Sequence, residues 1–187
     1  CSASTTMARS SLMRCFWIRI SVIFFRMRDF RTASHRFMPG VDWYLLKAQC
    51  YQESRLNPAA VSPVGAQGIC QFMPGTWSDV AIKLDLPPGA SAFAPQLAIN
   101  AAAFYMGNIR AQWSAPRPEP DRHSLALASY NAGIGHILSA QALCGDPAAY
   151  DAIIACLPSV TGKHARETTG YVALTWSWYR QMKLWGQ

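Results

Sequence analysis

Downstream of residue 40 the apolar residues recur at helical intervals, and this periodicity constrains the fold more than any other feature of the chain. "WYLLKAQCYQES" carries Leu45, Leu46, Ala48 and Cys50 behind Asp42, a residue suited to cap a helix N-terminus, so a helix is predicted to end near Ser54. "PQLAINAAAFYMGNIRAQW" opens on Pro95 and repeats apolar residues at Leu97, Ala101, Phe104, Tyr105, Ile109 and Trp113. "SLALASYNAGIGHILSAQAL" predicts a helix from Ser124, a break across Asn131 to Gly135, and a second helix; "HARETTGYVALTWSWYRQMKLW" predicts a long last helix despite Gly170. Asp146 and Pro147 read as a further helix start, and "DLPPGASAFAP" (85–95) as a loop.

A chain of 187 residues is long enough to bury the core that these helices imply and short enough to be one domain. With 51% hydrophobic and 14% charged residues it is not a disordered or low-complexity chain. The net charge of +7 is concentrated: residues 1–38 hold seven arginines against Asp29 alone, and the remainder is close to neutral. A globular part without a basic face excludes nucleic acid as the partner. The sequence therefore divides into an arm, 1–38, and a catalytic or binding domain, 39–187. In the arm, "CFWIRISVIFF" (15–25) is too short to cross a ~30 Å hydrocarbon core as a helix and carries Arg19. It reads as an export signal or anchor, or as part of a basic helix contacting an anionic membrane surface, the alternative being a leader with no role in the domain.

Six cysteines show no C-x-x-C spacing and no neighbouring histidines, so no metal site is expected, and none of the four histidines has a partner that would make it catalytic. Disulfides are the reading: Cys144 with Cys156, which bracket a short segment, and Cys50 with Cys70, buried free thiols being the alternative. This fits an oxidising compartment outside the cytoplasm.

Glu53 is one of three glutamates and sits where an apolar helix gives way to "SRLNPAAVSPVGAQGICQFMPGTW". The helix C-terminus opposes negative charge and apolar neighbours withdraw solvent, so both favour the protonated acid near neutral pH. Gly65 and Gly68 mark a tight turn or small hairpin, and Ser62, Gln67 and Gln71 supply neutral hydrogen-bonding groups of the kind that read sugar hydroxyl and N-acetyl groups.

These residues resemble the soluble lytic transglycosylase catalytic domain of the goose-type lysozyme-like class. The first motif of that family stands here as Glu53, Ser54, Ser62, Gly65, Ala66, Gly68, Gln71, Met73 and Pro74; the second as "SYNAG" at 129–133; the third as Glu167, Thr168, Tyr171 and Val172. The resemblance covers roughly residues 40–180. Three departures stand out: Ser129 for alanine, Cys70 at a usually apolar position, and Ala94 where an acidic cap often precedes proline.

The resemblance implies a mainly α, lysozyme-like α+β fold with a small β-hairpin or turn region beside the catalytic glutamate. It implies a monomer acting on peptidoglycan glycan strands in the periplasm or cell envelope, without a cofactor. Glu53 would be the single catalytic group, the substrate's N-acetyl group replacing a second carboxylate. Ser62, Gln71, Met73, Tyr130, Asn131, Glu167 and Tyr171 would bind substrate, with Glu167 open between that role and a structural one at helix termini. Two other readings remain: a goose-type lysozyme, with Asp79 or Asp85 directing water, and a non-catalytic wall-binding or membrane-active lysis protein.

Overall fold

The computed structural model describes residues 27–186, the side chain of Trp185 excepted. The apolar run at 15–25, Cys1 and Cys15 lie outside it. The described chain is a sequence of helices: α1 (27–37), α2 (Trp43–Ser54), α3 (Pro74–Lys83), α4 (Pro95–Gln112), α5 (Glu119–Ala132), α6 (Ile134–Leu143), the short α7 (Tyr150–Ile154) and α8 (Leu157–Thr161), a 3-10 turn (Gly162–His164) and α9 (Ala165–Trp185).

Local chemistry sets the ends. Asp42 caps α2, its carboxylate accepting from the Tyr44 N–H at 3.0 Å. The helix stops where Arg55 turns left-handed (φ 56°) and returns its N–H to the Tyr51 carbonyl. Helix α5 begins at Glu119, five residues before the predicted Ser124, because Pro120 suits a first turn and Glu119 and Asp121 favour the positive end of the helix dipole. Its predicted break shrinks to Gly133 (φ 87°), after which α6 starts at once. Asp146 does not cap a helix: it is itself left-handed (φ 57°), and α7 begins at Tyr150, whose N–H reaches Asp121 Oδ2 at 3.2 Å. Helix α4 has Ala94 at its cap with no side-chain bond, and opens on Pro95 regardless.

Helices α4 and α5 form the centre of the core, burying Ala98, Ile99, Ala101, Ala102, Ala103 and Met106 from one and Leu125 to Ala128 from the other. Ser129, in place of alanine, is buried without loss: its hydroxyl donates to the Leu125 carbonyl at 2.7 Å and accepts from Trp113 Nε1 at 3.1 Å. Helix α1 lies inside the stretch grouped with the arm, yet Phe30 and Ala33 have no solvent exposure and Met38 only 3%. The Phe37 ring meets Phe104 edge-on at 5.6 Å, and the Phe37 carbonyl fills the space a Cβ at Gly107 would need.

Between α2 and α3 two isolated antiparallel bridges, Val61 with Gln67 and Gln67 with Phe72, form the small β element. Gly68 (φ +74°) has the Ala92 carbonyl where a Cβ would stand, so only glycine lets this turn rest on the 85–95 loop.

Candidate active site

Three elements meet around Glu53. It occupies the last turn of α2; Tyr171 comes from the second turn of α9; Tyr130 comes from the end of α5. The Tyr171 hydroxyl donates to Glu53 Oε1 at 2.6 Å. Burial lifts the Glu53 carboxyl from an ordinary 4.5 to about 7, and the Tyr171 bond, which favours the carboxylate, opposes that rise. No carboxylate among the described residues adds to it. Burial also pushes both phenols well above their usual range, so they remain donors at any working pH.

The turn region is fastened to the end of α2. Cys50, one turn before Glu53, is bonded to Cys70, which explains a cysteine at a usually apolar position. Tyr130 Oη donates to the Cys70 carbonyl at 2.8 Å, and Ser54 Oγ donates to the Ile69 carbonyl at 2.7 Å. Cys144 and Cys156 form the second disulfide, bridging the ends of α6 and α7.

The other predicted site residues take distinct positions. Gln71 is left-handed (φ 50°), with Nε2 donating to the Gly68 carbonyl at 2.8 Å and toward that of Ala60 at 3.3 Å, which leaves Oε1 uncommitted. Ser62 Oγ accepts from the Ala66 N–H at 2.9 Å, keeping its hydroxyl proton to donate. Met73 is 44% exposed beside them. Asn131 Oδ1 accepts from Thr168 Oγ1 at 2.9 Å, so its amide nitrogen is left for a ligand. Tyr171 is 6% exposed and commits its hydroxyl proton to Glu53. Glu167 is not buried: it stands in the first turn of α9, its carboxylate 3.9 Å from His164 Nδ1, in a cavity of about 310 Å³ shared with Asn131, His136 and Thr168.

The tryptophans are mostly structural. Trp77 and Trp113 are buried, Trp176 Nε1 donates to Ser124 Oγ at 2.9 Å, and Trp178 Nε1 donates to Gln52 Oε1 at 3.0 Å. Sequence reasoning missed Gln49, a fully buried amide one turn before Glu53, whose only signal is a polar residue interrupting an apolar stripe. Among the described residues no group of three or more His, Cys, Asp or Glu side chains is placed to hold a metal ion.

The family model described as "Transglycosylase SLT domain" matches residues 32–153. The chain belongs to this family. It is 31% identical over 150 residues to the membrane-bound lytic murein transglycosylase F of Shewanella pealeana, a match covering 78% of this chain and 30% of that protein. The counterpart in Hahella chejuensis is 38% identical over 114 residues, covering 61% and 21%. Among solved structures, an inactive mutant of the lytic transglycosylase Slt of Pseudomonas aeruginosa superposes with a TM-score of 0.65 at 25% identity, over 83% of this chain and 24% of that one. A 70-kDa soluble lytic transglycosylase in complex with bulgecin A gives 0.61 at 25% identity, over 82% of this chain and 24% of that one. The chain thus spans less than a third of the relatives it matches. The SLT match begins inside α1, so this helix is shared with the family at least in part.

Proposed function

We propose that this chain is a lytic transglycosylase that cleaves the β-1,4 bond between N-acetylmuramic acid and N-acetylglucosamine in peptidoglycan and leaves a 1,6-anhydro end. The observation that carries the reading is the state of Glu53: one carboxyl group, held near pKa 7 by burial, gripped on Oε1 by Tyr171, with no second carboxylate acting on it. At neutral pH such a group exists in both forms, so it can give a proton and take one back.

Glu53, with Oε1 committed to Tyr171, presents a protonated Oε2 to the glycosidic oxygen. As that bond breaks, the proton passes to the departing N-acetylglucosamine and the substrate's own N-acetyl oxygen supports the cationic carbon. Glu53, now a carboxylate, removes the proton from the muramic 6-hydroxyl, which closes the anhydro ring and restores the acid. Ser62 and the Gln71 carbonyl are offered to the N-acetyl region, Met73 and Tyr130 form apolar wall, and Asn131 gives its amide to the glycan. Glu167 lies further along, on the cavity that Asn131 shares.

We place the enzyme outside the cytoplasm, at the cell envelope. Two disulfides support this, as do relatives named as membrane-bound. Among the described residues no helix is long and apolar enough to cross a membrane.

The test is digestion of purified sacculi with mass analysis of the products. Anhydro ends are lighter than hydrolysed ones by one water. Products with only reducing ends would replace this reading with a goose-type hydrolase.

A further inference from the structure

Gln49 is the most poorly satisfied polar side chain near the site. It lies on α2 one turn before Glu53 and is 1% exposed, yet neither Oε1 nor Nε2 makes a hydrogen bond. A buried amide without partners destabilises a fold, and an apolar side chain of the same size would remove that cost. Such a group in a native core calls for an explanation.

The explanation lies in its neighbour. Residues four apart share a helix face, so Gln49 and Glu53 point the same way from α2. Tyr171 of α9 meets that face: its hydroxyl donates to Glu53 Oε1 at 2.6 Å. The Gln49 amide is close enough to act on the same hydroxyl as a donor, easing its ionisation, although it stops short of hydrogen-bond geometry. The Tyr171 oxygen spends its proton on Glu53, and the nearby Gln49 amide has an unspent N–H.

We propose that Gln49 is a positioning residue for the reaction above, one that turns its Nε2–H onto Tyr171 Oη when Glu53 is charged. The chain is then Gln49 N–H to Tyr171 oxygen, Tyr171 O–H to Glu53 Oε1. A donor that is itself donated to is a stronger donor, because each bond polarises the next. No proton leaves Tyr171 or Gln49; the relay stabilises the carboxylate that Glu53 becomes once the glycosidic oxygen has its proton. It also holds Tyr171 as the donor to Oε1, so that Oε2 of the carboxylate is the oxygen left to take the proton back. The titratable groups facing Glu53 are Tyr171 from α9 and Tyr130 from α5, both neutral across the working range, so no nearby charge competes with this effect.

The inference rests on Glu53 being the acid of the proposed reaction, but its test does not require activity. The chain has only three glutamates, so ¹³C labelling of glutamate side chains gives a resolved titration of Glu53 in the intact protein. Gln49→Leu and Gln49→Met should each raise the Glu53 midpoint by about 0.3 pH or more, at least a twofold change in its ionisation constant. In a Tyr171→Phe background the same substitutions should move it by less than half as much. Both variants should also melt higher than the native protein, which guards against loss of fold as the cause. An unchanged midpoint in both Gln49 variants, or an equal shift with Phe at position 171, overturns the proposal. A protein that shows the coupled shifts yet yields no anhydro products would retain the relay and lose the transglycosylase reading instead.

Discussion

Tyr171 and Glu53, 118 positions apart, are joined by a 2.6 Å hydrogen bond between the second turn of the last helix and the last turn of α2. The bond favours the charged form of Glu53 while burial favours the neutral one, and burial prevails. Removing the donor removes the opposing influence. Tyr171→Phe should therefore carry the Glu53 pKa above about 7 and move the alkaline fall of the pH–rate profile upward. A profile that stays in place, measured on soluble glycan strands, would show the bond to be without consequence for the acid.

Glu53→Gln keeps size and shape but removes the proton. Turnover should fall about 10²-fold or more with folding intact. Asp79→Asn and Asp85→Asn should have far smaller effects, because both residues are exposed and the single-acid chemistry gives neither a role. Comparable losses from either Asp variant would favour a hydrolytic mechanism.

The same carboxyl group makes stability depend on pH. Its folded pKa, about 7, lies above its ordinary 4.5, so the folded state holds the proton more tightly. That advantage is complete below pH 4.5 and is lost as pH rises through 7, on the order of 3 kcal/mol if the full shift is realised. Glu53→Gln cannot ionise, so its stability relative to the native protein should increase steadily from pH 4.5 to 8. Denaturant unfolding at several pH values reads this directly.

Much of this was legible because local rules and the fold agree. Asp42, Pro95 and the apolar intervals of α4 place helices where they are found. The raised pKa of Glu53 was legible because apolar neighbours act on any carboxyl group in one direction. Both disulfides followed from the number and spacing of cysteines. What escaped depends on contacts between distant segments: no local pattern tells that Tyr171 turns inward to Glu53, or that Glu167 turns outward. Helix α1 is a different case, because Phe30, Ala33, Ser34, Phe37 and Met38 follow a helical stripe. The arginines at 28, 31 and 36 occupy its exposed face, and reading their charge as a membrane arm hid the stripe.

Placing the domain boundary at 38 therefore removes part of the core. A chain beginning at Pro39 lacks Phe30, Ala33 and Met38 and uncovers Gly107 on α4. Loss of a buried phenylalanine alone costs about 3 to 5 kcal/mol, much of the stability of a domain this size. A chain beginning at residue 27 should melt close to the 187-residue chain and keep its activity on soluble strands, whereas one beginning at 39 should melt far lower or fail to fold. Equal melting temperatures would return α1 to the arm.

The two disulfides should be unequal in function although similar in stability. Each closes a loop of moderate length, 20 positions for Cys50 to Cys70 and 12 for Cys144 to Cys156, and loops of this size contribute about 3 kcal/mol by restricting the unfolded chain. Cys144→Ala with Cys156→Ala removes a clasp on α6 and α7, away from Glu53, so melting should fall while turnover at a temperature where the protein is folded stays near the native value. Cys50→Ala with Cys70→Ala loosens the turn that Tyr130 and Ser54 hold through the Cys70 and Ile69 carbonyls. There Ser62 and Gln71 lose their fixed relation to Glu53, so turnover should fall several-fold in protein that is still folded. Equal turnover in the two double variants would mean that the hydrogen bonds of Tyr130 and Ser54 suffice to hold the turn without the bridge.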